Sequence, residues 1–203
     1  MFKKHSSHAL RAAVCAALAA LSCALPAAAQ QKSVAVTSIV EHPALDAVRD
    51  GVKEALQKAG LEDGKTLRWQ YQTAQGNAGT AGQIARKFVG DQPDVIVAIS
   101  TPSAQALLAT TKNIPIVFSA VTDPVAGQLT PSWDASGTNV TGVSNALDLT
   151  KQAEMIRRIL PQAKRVGVVY NPGEANSATV IKQLRELLPK YGMTPVSYTH
   201  LRA

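Results

Sequence analysis

The chain is poor in cysteine, and both of its cysteines, Cys15 and Cys23, lie ahead of Gln30. That opening segment has the layout of a secretory signal. Lys3, Lys4 and Arg11 form a basic start, Ala12 to Pro26 is apolar, and Ala27-Ala28-Ala29 offers a small-x-small cleavage site. The apolar run falls short of the roughly 20 residues that a membrane-spanning helix needs. Removal of residues 1–29 leaves about 174 residues with no thiol, which excludes a disulfide or a cysteine-ligated metal. The expected destination is the periplasm. Cys23, in Ala20-Leu21-Ser22-Cys23, is a weak match to a lipoprotein box because Ala stands at its first position. Lipid anchoring there is the lesser alternative.

A basic stripe is also lacking. The net charge is +7, of which Lys3, Lys4 and Arg11 carry three, leaving +4 on the exported chain. Those charges are scattered singly, as in "QKAGLEDGKTLR". A diffuse excess of this size describes solvated faces and argues against a nucleic-acid partner.

Catalytic signatures are missing as well. No G-x-S-x-G elbow surrounds any serine. There is no G-x-x-x-x-G-K-[ST], and Gly76, Gly79 and Gly82 are spaced G-x-x-G-x-x-G on a helix pattern, not as a dinucleotide fingerprint after a strand. His42 has one carboxylate beside it, Glu41, which is too little for a metal site. Neither a metal, a cofactor nor an enzymatic activity is expected. Asn139-Val140-Thr141 fits a glycosylation acceptor, which matters only in a eukaryotic secretory path.

What is present is a regular rhythm. β-rich runs cover 33–40, 65–74, 93–100, 114–121, 139–144 and 164–171, and another starts at 193. Helical periods cover 43–60, 77–91, 101–112, 150–161 and 176–192. Pro43 suits a first helical turn, and Gly60 suits the position after a last one. Leu67, Trp69 and Tyr71 fall on one face of a half-buried strand, where they read as core or sheet-face residues. "PDVIVAIS" is continuously apolar, as in a strand covered on both faces. Strands alternating with helices predict an α/β fold with a Rossmann-like parallel sheet. Residues 30–145 would complete one such lobe, and 146–203 would begin a second, incomplete one. The rhythm stops after about two strands of that second lobe, and "SYTHLRA" breaks it. A C-terminally truncated fragment with a non-native tail is the expectation.

In an open parallel sheet, ligands bind beyond the carboxyl ends of the strands. Short hydrogen-bonding side chains collect at four such ends: Ser38, Glu41 and His42; Ser100, Thr101 and Ser103; Ser119, Thr122 and Asp123; and Asn171, Glu174, Asn176 and Ser177. Ser100 or Thr101 reads as an N-cap with Pro102 in the first turn, and free backbone N–H groups there can hold an anion. The plain alternative is an ordinary cap. Asp123 reads equally as an Asp-Pro turn or as a partner for an ammonium group.

"TSIVEHPALDAVRDGVKEALQKAG", "ISTPSAQALL", "IPIVFSAVTDPVAGQL", "NVTGVS" and "RVGVVYNPGEANS" together resemble the ABC-transporter substrate-binding family that includes tryptophan- and tyrosine-binding lipoproteins. The resemblance runs from about Val34 to Met193. It implies a fold similar to type I periplasmic binding proteins, with two hinged Rossmann-like lobes that close on a small ligand. It implies a monomeric solute-binding component of an importer, with a membrane permease as partner and an amino acid, in some members aromatic, as ligand. Carried over position by position, it implies ligand contacts from Glu41, His42, Ser100, Thr101, Thr122, Asp123, Asn171, Glu174, Asn176 and Ser177. Charge then suggests the ligand carboxylate at Thr101 and its ammonium near Asp123. A sensor domain of the same fold and a secreted α/β enzyme stand as alternatives. Because closure needs a whole second lobe, the 203-residue chain is expected to bind weakly.

Overall fold

The computed structural model describes residues 31–134 and 137–199; the expected signal segment, its two cysteines and residues 200–203 lie outside them. The elements alternate from the start: β1 (Lys32–Ser38), α1 (Pro43–Lys58), β2 (Leu67–Thr73), α2 (Ala78–Gly90), β3 (Val95–Ile99), α3 (Thr101–Leu108), β4 (Ile116–Val121) and β5 (Val140–Ser144). After residues 145–148 come α4 (Leu149–Ile159), β6 (Arg165–Val169), α5 (Ala175–Leu187), a 3-10 turn (Leu188–Tyr191) and β7 (Thr194–Tyr198).

The first five strands form one parallel sheet in the order β2-β1-β3-β4-β5. The order reverses between β1 and β3, which separates the connections that follow them. β1 and β3 are the most deeply covered strands. Alternation along β1 sends Val34 and Val36 to one face and Ala35 to the other. On the first face lie Val34, Val36, Leu67, Val97 and Ile99, closed over by Leu45, Val48, Val52 and Leu56 of α1. That three- and four-residue spacing is why α1 packs as one stripe. On the other face Ala81, Ile84, Ala85 and Phe88 of α2 and Ala104 and Leu107 of α3 meet Ala35, Ile96, Ala98, Ile116 and Phe118. α1 starts where His42 accepts the Ala44 N–H at 3.2 Å, and α2 starts where Asn77 accepts the Thr80 N–H at 2.9 Å.

β4 is irregular near its end. Its register with β5 shifts between Phe118 and Val121, and Ala120 has φ +53°. Upstream of the bulge, β5 lies so close that a Cβ at Gly142 would overlap the carbonyl oxygen and ring of Phe118.

β6 and β7 pair parallel in a separate two-stranded sheet. Ala153, Leu188 and Met193 form its small core, with Ile156, Val166 and Leu184 packed against them. The Arg157 guanidinium ties this unit together. It donates to the carbonyls of Pro161 (2.6 Å) and Ala163 (3.1 Å) in the α4–β6 turn and to that of Tyr191 in the 3-10 turn. Three carbonyls met by one planar fork is a task lysine cannot match. Met155 and Ile159 of α4, Leu160 just after it and Val169 of β6 remain exposed.

At the opposite end of the large sheet from its helix-leading strand ends, Asp94 locks β1 to β3. Its Oδ2 accepts from the Ser33 N–H (2.7 Å) and hydroxyl (2.8 Å), and Lys32 stands 3.6 Å from its other oxygen. These donors, first the Ser33 backbone and then its hydroxyl, hold the carboxyl below its ordinary range. A lowered folded value stabilises the protein fully above the unfolded pKa of about 4 and loses that contribution as pH falls through the folded value. The Tm deficit of Asp94→Asn should therefore be largest at neutral pH and shrink below about pH 4. A deficit that stays constant down to pH 2.5 would contradict this reading.

Candidate functional site

The site begins with a connection of one residue. β3 ends at Ile99 and α3 begins at Thr101, so Ser100 alone turns the chain from strand to helix. It does so at φ +86°, ψ 158°, a region essentially reserved for glycine, at a cost of roughly 1–3 kcal/mol for other residues. Its N–H still bonds to the Ser119 carbonyl at 2.9 Å, which keeps the turn flush with the sheet. The first turn of α3 is thereby held at the end of β3, beside the place where strand order reverses.

The hydroxyls gathered here are buried and unpaired. Thr101 is 2% exposed, Ser103 1% and Ser100 9%, and none of their oxygens has a hydrogen-bond partner. Ser100 does not cap the helix with its side chain. Ser100 takes the expected N-cap position, but neither its hydroxyl nor that of Thr101 accepts from a helix amide, so the ordinary side-chain cap bond is not made. Thr37, 2% exposed near the end of β1, is a fourth such group. By strand alternation it faces the α2 and α3 side, with Ala35. A buried polar group without a partner costs about 1–3 kcal/mol. Three at one helix start, with a fourth on the neighbouring strand where Thr37 registers opposite Ala98, mark a place that can exchange hydrogen bonds with a group from outside the chain. Tyr71 also has a buried hydroxyl, but it packs on the opposite, α1 face beside Arg49, whose guanidinium lies 5.0 Å from its ring.

The other strand ends are mostly self-satisfied. Glu41 and His42 are exposed in the loop after β1, and the His42 ring is engaged in capping α1. Asp123 is half-buried, and its Oδ1 accepts from the Val125 (3.0 Å) and Ala126 (2.9 Å) N–H groups. That is the Asp-Pro turn reading, realised by one of its two oxygens. The turn packs directly on the helix start: a Cβ at Gly127 would sit 3.1 Å from the Thr101 methyl. Thr122 is half-buried and its carbonyl accepts from the Ser144 hydroxyl at 3.0 Å, joining the ends of β4 and β5.

After β6, Asn171 closes its own turn by accepting the Gly173 N–H at 3.0 Å. The helix start differs from the expectation: the N-cap is Glu174, and Asn176 and Ser177 lie inside the first turn of α5. Glu174 caps no helix amide. Its two oxygens accept instead from the side chains of Asn171 (3.2 Å), Asn176 (3.5 Å) and Ser177 (3.4 Å). The Oδ1 of Asn176 is buried with no partner. α5 and α3 approach each other, so the two sheets meet at helices that both start from carboxyl strand ends. Among the described residues no cluster of His, Cys, Asp and Glu is fit to hold a metal.

Sequence reasoning flagged Ser100, Thr101, Ser103 and Asn176 but not Thr37. The run "SVAVTSIV" reads as strand throughout, and nothing local distinguishes a bonded from an unbonded threonine.

Comparison with known proteins adds the following. A family model described as ABC transporter substrate binding protein matches residues 33–202. A tyrosine-binding protein of Clostridioides difficile (strain R20291) is 42% identical over 161 residues, which is 79% of this chain and 47% of that protein. The chain thus spans about half the length of that curated relative. Among solved structures, a conserved domain protein of Vibrio cholerae is 50% identical with a TM-score of 0.83, covering 85% of this chain and 58% of its own. An ABC domain from Streptococcus pneumonia in complex with L-Trp is 29% identical with a TM-score of 0.79, covering 83% of this chain and 57% of its own.

The strain at Ser100 can be measured directly. Ser100→Gly should raise the stability of the unliganded chain by about 1 kcal/mol, or roughly 2–4 °C in Tm, because glycine adopts this backbone freely. Ser100→Ala loses the same unpaired hydroxyl but keeps the strain, so its Tm should stay below that of the glycine variant by about that margin. A lower Tm for the glycine variant in thermal unfolding would refute the assignment.

Proposed function

We propose that this chain, which belongs to the ABC transporter substrate-binding protein family, is the extracytoplasmic part of an importer that captures an amino acid and hands it to a membrane permease. It acts by binding and not by catalysis. Residues 30–145 form its first lobe, on a sheet of the type I periplasmic binding protein kind, and 146–203 contribute to the second.

The observation that carries this reading is the set of unpaired, buried hydroxyls of Thr37, Ser100, Thr101 and Ser103 around the start of α3. A carboxylate placed there is acceptor-only and would accept hydrogen bonds from those hydroxyls together with the free N–H groups of the first helical turn. The helix end adds about 0.3–1 kcal/mol for a negative charge. These oxygens are closed to solvent in the unliganded chain, so a carboxylate reaches them through a local opening around the first turn of α3. Ligands of the named relatives are tyrosine and L-Trp, and an aromatic amino acid is the ligand we assign here. Glu41, His42, Thr122 and Asp123 would border the same cleft from the strand ends beside it.

The test is a nitrogen-15 NMR titration of the 203-residue chain with L-tryptophan and L-tyrosine, which reads affinities into the millimolar range. Thr101→Val preserves shape and removes one hydroxyl, and should weaken binding about 10-fold. The backbone N–H signals of Thr101, Ser103 and Ala104 should be among the most displaced. Unchanged affinity in the valine variant, with those signals still, would sink the proposal.

A further inference from the structure

We infer that the outer edge of β6 pairs antiparallel with the same edge of a second copy of this chain, joining two β6–β7 sheets into one across a two-fold axis at Gly167. Such a dimer departs from the monomer that the family resemblance implies, and it does not depend on the carboxylate site proposed at α3.

β6 and β7 pair only with each other, so each has one outer edge. The Thr194 N–H donates to the Lys164 carbonyl at 2.8 Å, and the Tyr170 N–H donates to the Tyr198 carbonyl at 3.0 Å. Backbone groups alternate in direction along a strand. Those of Val166 and Val168 therefore also face β7, and those of Arg165, Gly167 and Val169 face outward. All three of these residues are exposed, Val169 at 59%. Among the described residues no strand pairs with them on that side. The same alternation turns Pro195 and Ser197 of β7 outward, and Pro195 has no N–H to offer. The β7 edge is thus blocked in a way that native sheets use against edge pairing. The β6 edge has neither a proline nor a bulge and presents a row of unpaired donors and acceptors.

A second copy suits this edge because the charges are self-complementary. Lys164 and Arg165 stand at the amino end of β6, and Glu174 stands just beyond its carboxyl end. Among the described residues none of the three makes an ion pair within the chain. Antiparallel pairing sets the basic end of each copy beside the acidic end of the other, and the same patch meets itself, as a two-fold interface requires. Parallel pairing would set like charges together. Centring on Gly167 places Arg165 opposite the second copy's Val169, and the outward residues then exchange about six backbone hydrogen bonds. Centring on Arg165 would oppose two arginines, which is unfavourable. The uncovered face of the sheet carries an apolar pair as well. Tyr198 registers opposite Val169, is 41% exposed, and has its ring 3.6 Å from where a Cβ of Gly167 would stand. The two-fold axis brings both Val169–Tyr198 pairs onto one continuous face.

A strand pair this short lies at the small end of protein interfaces, so the dissociation constant should be on the order of 100 µM. The test is sedimentation velocity of the 203-residue chain from about 10 µM to about 1 mM, a range that brackets that value. Amide hydrogen exchange is followed by nitrogen-15 NMR at both ends of the range. The sedimentation coefficient should rise with concentration. The Gly167 and Val169 amides should gain protection with it, while Ser197 on the blocked β7 edge should not. Val169→Lys sets a lysine against the second copy's Arg165 and should weaken association about 10-fold. Adding Arg165→Glu restores opposite charges across the axis and should bring association back within about 3-fold of the parent chain. Both side chains are exposed, so neither change disturbs the core. A chain that stays monomeric to the top of the range overturns the inference. So does association that Val169→Lys leaves unchanged, or that Arg165→Glu fails to rescue. Protection of Gly167 and Val169 that is equal at every concentration would mean the edge is covered from within the chain, and overturns it too.

Discussion

A single residue between strand and helix sets the geometry of this protein's candidate site. Ser100 turns the chain from β3 into α3 at a backbone angle that side chains avoid, and everything nearby follows from it. With a longer loop, α3 would start farther from the sheet and its first-turn donors would meet water. With the tight turn, Thr101 and Ser103 are driven into the interior with their hydroxyls unpaired. Folding tolerates this because the β1–β3 core beneath is extensive and apolar on both faces. A few kcal/mol lost in strain and unmade hydrogen bonds is small beside that burial.

The remaining strand ends divide into those that serve the fold and those that stay open. The His42 cap, the Asp123 turn, the Ser144–Thr122 bond and the Asn171 turn all complete local backbone bonding. The hydroxyls at α3 and the Asn176 oxygen do not. A polar residue at the correct end of a parallel sheet is thus not by itself a ligand contact. What distinguishes the second group is an open valence under burial, a property of the folded chain alone.

This explains what could be read from the sequence. The order of elements was legible because apolar periodicity changes from two to 3.6 at each boundary, and runs such as Val95–Ile99 belong only in covered parallel strands. The end of α3 was less so: the helix stops at Leu108, short of the expected Lys112, as Thr110 and Thr111 turn their amides back to Leu107. The helical period starts at 176 in the sequence, yet α5 begins at Ala175 with Glu174 at its N-cap. Residue type also suggested that Ser100 or Thr101 would cap α3, a bond that the backbone angle at Ser100 and the burial of Thr101 leave unmade. Thr37 and the positive φ at Ser100 left no trace in the sequence.

The proposed carboxylate site at the start of α3 rests on the open hydroxyls there. A crystal structure of the chain with L-tryptophan tests it most directly. The account predicts a carboxylate oxygen within about 2.6–3.1 Å of the Thr101 hydroxyl and of a backbone N–H in the first turn of α3. A ligand carboxylate bound elsewhere, with the Thr37, Ser100, Thr101 and Ser103 hydroxyls paired to ordered water, would contradict it.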